Sequence, residues 1–252
     1  MPIVDLPTTT WGSPTTDRVA LLIHGLGSDA STMWRIGEDL AESGWYAIAV
    51  DQRGHGVAPR TSRYRIEDYA RDLLGVPTDR PWDVAIGHSI GGANLVAASA
   101  MQPGFARRIV LIDPALRADQ DAREQIRANQ LTNHGSLTVE KQRTVNPHWH
   151  DQDVELSVAA VHRASAFALE HSVTDNHDWD VLAETTALTV PTLVFQAGRP
   201  ELARYVDEHA DAIEAANSLV SRTVIDGTGH NVHRDAPDEF CRRLTDWLDT
   251  MS

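Results

Sequence analysis

Six short runs of apolar or β-branched residues recur along the chain: RVALLIHG ending at Gly25, WYAIAVD at Asp51, WDVAIGH at His88, RIVLID at Asp113, PTLVFQAG at Gly198 and SRTVID at Asp226. Helical patterns lie between most of them, over residues 31–43, 66–74, 91–101, 203–216 and 237–250. Strands that are apolar throughout must be covered on both faces, so a chain alternating them with helices builds a parallel sheet between two helical layers. The expected fold class is α/β, a mostly parallel open sheet with helices on both faces. In such sheets reactive groups gather at the carboxyl ends of the strands, which makes the residues after each run the ones to read for chemistry.

One interval breaks the alternation. Between Asp113 and about Ala187 there is no comparable run, while ADQDAREQIRANQL and DVELSVAAVHRASAFALEH both carry helical spacing. The interval is too long for a plain connection. The expected organisation is therefore a core of residues 1–113 and 188–252 interrupted by a helical cap over 114–187. The first seventeen residues have room for one or two short edge strands. A length of 252 residues with 42% hydrophobic content suits such a core.

Charge and cysteine usage narrow the partners. With 22 basic against 36 acidic residues and a net charge of −14, the surface is not built for phosphate backbones or anionic lipid. No apolar run approaches the roughly 20 residues of a membrane helix, and nothing near Met1 resembles a leader. A soluble, cytoplasmic protein with no nucleic-acid or membrane partner is expected; nothing in the sequence specifies an oligomeric state. The single cysteine, Cys241, sits in the amphipathic stretch DEFCRRLTDWL and is expected to be a buried structural thiol.

The stretch DVAIGHSIGGANLVAA places Ser89 between Gly87 and Gly91 at a strand-to-helix junction. This GxSxG spacing relieves crowding around a nucleophile held in a strained turn. A serine hydroxyl needs a base to take its proton as it attacks. Of the 12 histidines, His230 is the best placed, on a glycine-flanked loop between the last strand and the last helix. His233 is expected to be a supporting or surface residue, and His88 to pack locally. An oxyanion needs two preorganised donors. The backbone N–H of Ile90, just after the serine, is one, and that of Leu26 in HGLGSDAS is the other, with His24 shaping that loop.

Four segments, HGLG at 24–27, DQRGHG at 51–56, GHSIGG at 87–92 and GTGHNVHRDAPDEF at 227–240, together resemble the α/β-hydrolase superfamily, in particular its small lidded esterase-like members. The resemblance runs from about Arg18 to the C-terminus, less the cap. It implies a carboxylate that orients the histidine and stabilises its charged form. The superfamily usually carries that acid three residues past the glycine of PTLVFQAG, here Glu201. Some members carry it at the end of the preceding core strand, here Asp113. Asp113 is preferred and Glu201 is the alternative.

Other readings compete. VALLIHGLGSDAS contains GxGxxA after a strand, with Asp51 ending the next strand, which resembles a dinucleotide fingerprint and would make the chain an NAD-binding oxidoreductase. That reading leaves GHSIGG and the late histidines unexplained. NPHWHDQD gathers His148, His150, Asp151 and Asp153 without the spacing of a zinc site. A non-catalytic ligand-binding member of the fold would not need Ser89, His230 and an acid together. The expectation is therefore a serine hydrolase without cofactor or metal, cleaving a small or medium carboxylic ester or lactone through an acyl-enzyme. Carbon–carbon bond hydrolysis and perhydrolysis on the same residues are the alternatives. Trp149, Trp179 and Phe167 of the cap are expected to roof a largely apolar pocket.

Overall fold

The computed structural model of the chain describes residues 2–250. In chain order the elements are β1 (Thr8–Trp11), β2 (Val19–Ile23), a 3-10 turn (Ala30–Met33), α1 (Trp34–Glu42), β3 (Tyr46–Val50), α2 (Ile66–Leu74), β4 (Val84–His88), α3 (Ile90–Met101) and β5 (Ile109–Ile112). Helices α4 (Gln120–Ser136), α5 (Val139–Val145), α6 (Asp151–Arg163), α7 (Ala166–Thr174) and α8 (Leu182–Thr186) follow without another strand of the sheet. The chain then returns with β6 (Thr192–Ala197), α9 (Asp207–Ala216), β7 (Val220–Ile225), α10 (Val232–Asp235) and α11 (Pro237–Thr250).

The seven strands form one sheet in the order β1-β3-β2-β4-β5-β6-β7. All six runs read from the sequence are strands, and every pairing among them is parallel; only the edge strand β1 runs antiparallel, against β3. Side chains alternate across a strand, so β2 sends Ala20 and Leu22 to one helical layer and Leu21 and Ile23 to the other. The first layer is built on Ile36 and Leu40 of α1 and Phe240 and Leu244 of α11. The second rests on Leu73 of α2, Leu95 of α3 and Ile213 of α9. Helix α3 is buried on all sides over residues 90–98, which explains why its sequence is apolar around its whole circumference. In α11 the buried Phe240, Leu244 and Leu248 recur every four residues, each contributing roughly 1.5–3 kcal/mol by leaving water. Cys241 packs beside them, and burial pushes its thiol up to about 12, as suits a structural residue.

Parallel strands point their carboxyl ends to one edge of the sheet, so the loops after β4, β5 and β7 open on the same rim. The interval between β5 and β6 is helical, and it is tied to the core through buried polar contacts. Trp34 Nε1 donates to Asp153 of α6 at 2.8 Å, Ile66 N donates to Asn176 Oδ1 at 2.9 Å, and Ser165 N donates to Gly54 O at 2.8 Å.

One helix differs from its expected bounds. The pattern over 203–216 yields a helix only from Asp207, because the N–H groups of Arg204 and Tyr205 donate to the Asp113 carboxylate at 2.9 and 3.2 Å and hold the preceding segment in a turn.

Candidate active site

Ser89 follows the last residue of β4 and precedes the first of α3, with φ 55° and ψ −123°. That backbone is strained for a residue with a Cβ and projects the side chain out of the turn. The neighbouring glycines are there for want of space: a Cβ on Gly87 would lie 2.6 Å from the Gly91 carbonyl, and one on Gly91 would lie 2.6 Å from the Ile23 carbonyl and collide with that of His24. The pattern read as GxSxG is thus a packing requirement of α3 against β2.

Asp113 follows β5, is fully buried, and shares with Ser89 the distinction of a positive φ, 36°, among the described residues other than glycine. Its Oδ2 accepts His230 Nδ1–H at 2.6 Å, while the amides of Arg204 and Tyr205 fix the carboxylate in place. His230, on the loop after β7, then turns Nε2 to Ser89 Oγ at 3.0 Å. With Nδ1 donating, Nε2 is the unprotonated nitrogen and accepts the serine hydroxyl. Such a chain can take the proton of a hydroxyl as it attacks and stabilise the imidazolium that results.

Glu201, the alternative acid, is not part of this chain. It is exposed and its Oε1 accepts Arg199 Nε at 3.1 Å, and that contact lowers its carboxyl pKa after the larger effect of a hydrogen bond with its own backbone.

Two further histidines support the loop. His88 Nε2–H donates to the His230 carbonyl at 3.1 Å, and its ring lies 4.8 Å from those of His230 and His233. His233 is buried against His88 and Phe240 instead of lying at the surface, and neither of its ring nitrogens has a partner among the described residues. Burial, reinforced by the neighbouring rings and Arg234, holds both histidines well below the usual imidazole range. His24 shapes the first loop: Nδ1–H donates to Gly25 O at 2.8 Å and Nε2 accepts Gln52 N at 3.1 Å. Leu26 follows in that loop. Among the described residues no hydrogen bond uses the N–H of Leu26 or of Ile90.

Ser89 and His230 open into a cleft of about 150 Å³ lined by Gly25 to Ser28, by residues of α4 and α6, and by Arg234. Of the three aromatic residues expected to roof it, only Trp149 does, its Nε1 donating to Asp235 Oδ1 at 2.6 Å. Trp179 lies in the main core, where its Nε1 donates to the Ala115 carbonyl at 2.7 Å. Phe167 is 46% exposed and stacks on His171 with ring centres 3.8 Å apart. The lining is also more polar than expected: Gln130, Asn133, Gln142, Ser157 and Arg234 all contribute. In sequence a polar residue facing a cleft has the same signature as one facing solvent, so nothing local distinguishes Gln130, Asn133, Gln142 and Ser157. Arg234 had a signal, four residues after His230.

The other candidate groups have structural partners. Asp51, read as a ribose ligand, instead accepts the amides of Ala30 and Val57 at 2.8 and 2.9 Å and joins two loops. In NPHWHDQD, His148 contacts Asp235, Asp151 pairs with Arg143, Asp153 accepts from Trp34 and Arg35, and His150 accepts Gln152 N. Among the described residues no three metal-ligating side chains cluster, and no helix is long and apolar enough to cross a membrane.

A parallel sheet with a serine on the turn after its central strand, and a histidine and carboxylate on later loops of the same rim, defines an α/β-type hydrolase. Residues 20–243 match the profile of the alpha/beta hydrolase family, and the chain belongs to that family. It is 34% identical over 124 residues to the 2-(acetamidomethylene)succinate hydrolase of Mesorhizobium japonicum, covering 48% of this chain and 43% of that protein. The chain thus spans less than half the length of that relative. It is 26% identical over 241 residues to esterase YbfF of Escherichia coli, covering 90% and 92% of the two chains. The crystal structure of E-2-(acetamidomethylene)succinate hydrolase superposes with a TM-score of 0.82 at 21% identity, over 98% of this chain and 96% of that one. The family is one of hydrolases, and these relatives are named for hydrolase and esterase activity.

Proposed function

We propose that the chain is a serine hydrolase cleaving a small or medium carboxylic ester or lactone through an acyl-enzyme. The observation that carries this reading is the unbroken Ser89–His230–Asp113 hydrogen-bond chain, at 3.0 and 2.6 Å, at the mouth of a cleft. Ser89 Oγ attacks the carbonyl carbon while His230 Nε2 takes its proton, and Asp113 stabilises the imidazolium. The N–H groups of Leu26 and Ile90 hold the oxyanion, Ile90 with the added field of the α3 N-terminus. His230 returns the proton to the leaving alcohol oxygen. It then deprotonates a water that attacks the acyl carbon, and Ser89 recovers its proton as the acid departs. Residues 114–187 serve as a cap that shapes the cleft.

The polar lining favours a second reading beside the first, hydrolysis of an amide on the same residues. The relative named for 2-(acetamidomethylene)succinate supports it. Either way the nucleophile is the same, and labelling tests it. A fluorophosphonate should modify the protein at one site, peptide mass mapping should find it on Ser89, and Ser89→Ala should abolish it; a label elsewhere, or one that survives Ser89→Ala, overturns the proposal.

A further inference from the structure

Arg234 is an anomaly in the cleft. Only 5% of it is exposed, yet its Nε and Nη2 have no hydrogen-bond partner among the described residues. Two buried guanidinium N–H groups without an acceptor are costly, because they have given up water and gained no hydrogen bond in exchange. The carboxylates that share its surroundings are taken. Asp29 accepts from Ser31 and Arg163, Asp153 from Trp34 and Arg35, and Asp235 from Trp149 and Gly229, so that in each both oxygens are used. None of them forms an ion pair with Arg234 within 4.0 Å.

The two unpartnered nitrogens lie on one edge of the guanidinium, the edge that presents two parallel N–H groups to a carboxylate. This protein uses that edge elsewhere: Arg53, equally buried, holds both oxygens of Asp72 through its Nε and Nη2. Arg234 lines the same cleft as Ser89 and His230. Its Cζ lies 5.2 Å from the centre of the Trp149 ring, which is itself anchored to Asp235.

We propose that Arg234 anchors an ionised carboxylate of the substrate, which makes the preferred substrates half-esters or half-amides of dicarboxylic acids. The proposal rests on the serine-hydrolase reading above. It accounts for a cleft that is polar and buries a cation in a protein of net charge −14.

The test compares monoethyl succinate, glutarate and adipate with ethyl butanoate, pentanoate and hexanoate, which match them in length but lack the charge, by pH-stat hydrolysis. At least one half-ester should exceed its neutral partner in kcat/KM by about tenfold or more, chiefly through KM. Arg234→Gln should reduce that ratio at least tenfold, and Arg234→Lys should restore part of it, since lysine offers charge without the fork. A ratio at or below one for every length in the wild type, or one unchanged by Arg234→Gln, overturns the proposal. Should Arg234→Gln fail to fold, free glutarate must inhibit wild-type cleavage of ethyl pentanoate competitively, and less so at high salt; no inhibition by succinate, glutarate or adipate is a refutation. Loss of the serine chemistry would appear separately, as no labelling of Ser89. In that event calorimetric binding of the dicarboxylates to Ser89→Ala still decides whether the anchor exists.

Discussion

Ser89 and Asp113 each hold a left-handed backbone that their side chains disfavour, and each is a member of the same hydrogen-bond chain. Strain of this kind persists only where surrounding structure over-determines it, here the pairing of Ser89 N with Ile112 O and of Asp113 N with Phe195 O. Asp113→Asn should lower kcat by about 10³–10⁴-fold, because an amide favours the wrong imidazole tautomer, with the circular dichroism spectrum unchanged. Glu201→Gln should stay within about twofold of the wild type in the same assay. The two substitutions together decide which carboxylate orients His230.

Elements bring these residues together, and they are held by polar groups as well as by apolar packing. The loop after β3 is fixed by the buried Arg53–Asp72 pair, which ties it to α2, with Asp72 also accepting Val4 N at 3.0 Å. Asp72→Ala would remove the carboxylate that pairs with this buried guanidinium, so urea unfolding should show a loss of about 3–5 kcal/mol. Close backbone approach is the other constraint. Gly91→Ala forces α3 away from the carbonyls of Ile23 and His24, and should both lower the unfolding midpoint and cut Ser89 labelling, since the Ile90 N–H moves with the helix.

Four histidines buried around the rim make the whole molecule acid-sensitive. Burial lowers His24 to about 4 and His55 to about 3, and holds His88 and His233 well below their ordinary value. Above the unfolded value of about 6.5 all four are neutral in both states, so their folded environment carries no penalty. As pH falls through 6.5 the unfolded chain binds protons that the folded chain refuses, and each such histidine removes up to about 1.4 kcal/mol per pH unit until its folded pKa is reached. Stability in urea should therefore be full near pH 7.5 and fall steeply between pH 6.5 and 5. His233→Phe, which replaces an imidazole with two unpartnered nitrogens, should flatten that slope by about one proton. An unchanged slope would place its acid sensitivity elsewhere.

The six parallel strands, the helical interval between β5 and β6, and the positions of Ser89 and His230 were legible in the sequence because each leaves a local signature. Apolar runs specify buried strands, helical spacing specifies helices, and glycines flank the serine where backbones crowd. The partner of His230 was not fixed locally, since Asp113 and Glu201 both follow strands and only their distances from Nδ1 separate them. The lining was misjudged for a related reason. Trp179 and Phe167 are aromatic whether they face a cleft, the core or water, and Gln130 and Asn133 are polar in the same indifferent way. Patterning within a chain determines which elements form and which face of each is buried. Which side chains then meet across a hundred residues or more is decided by how those elements pack, and only the tertiary structure records it.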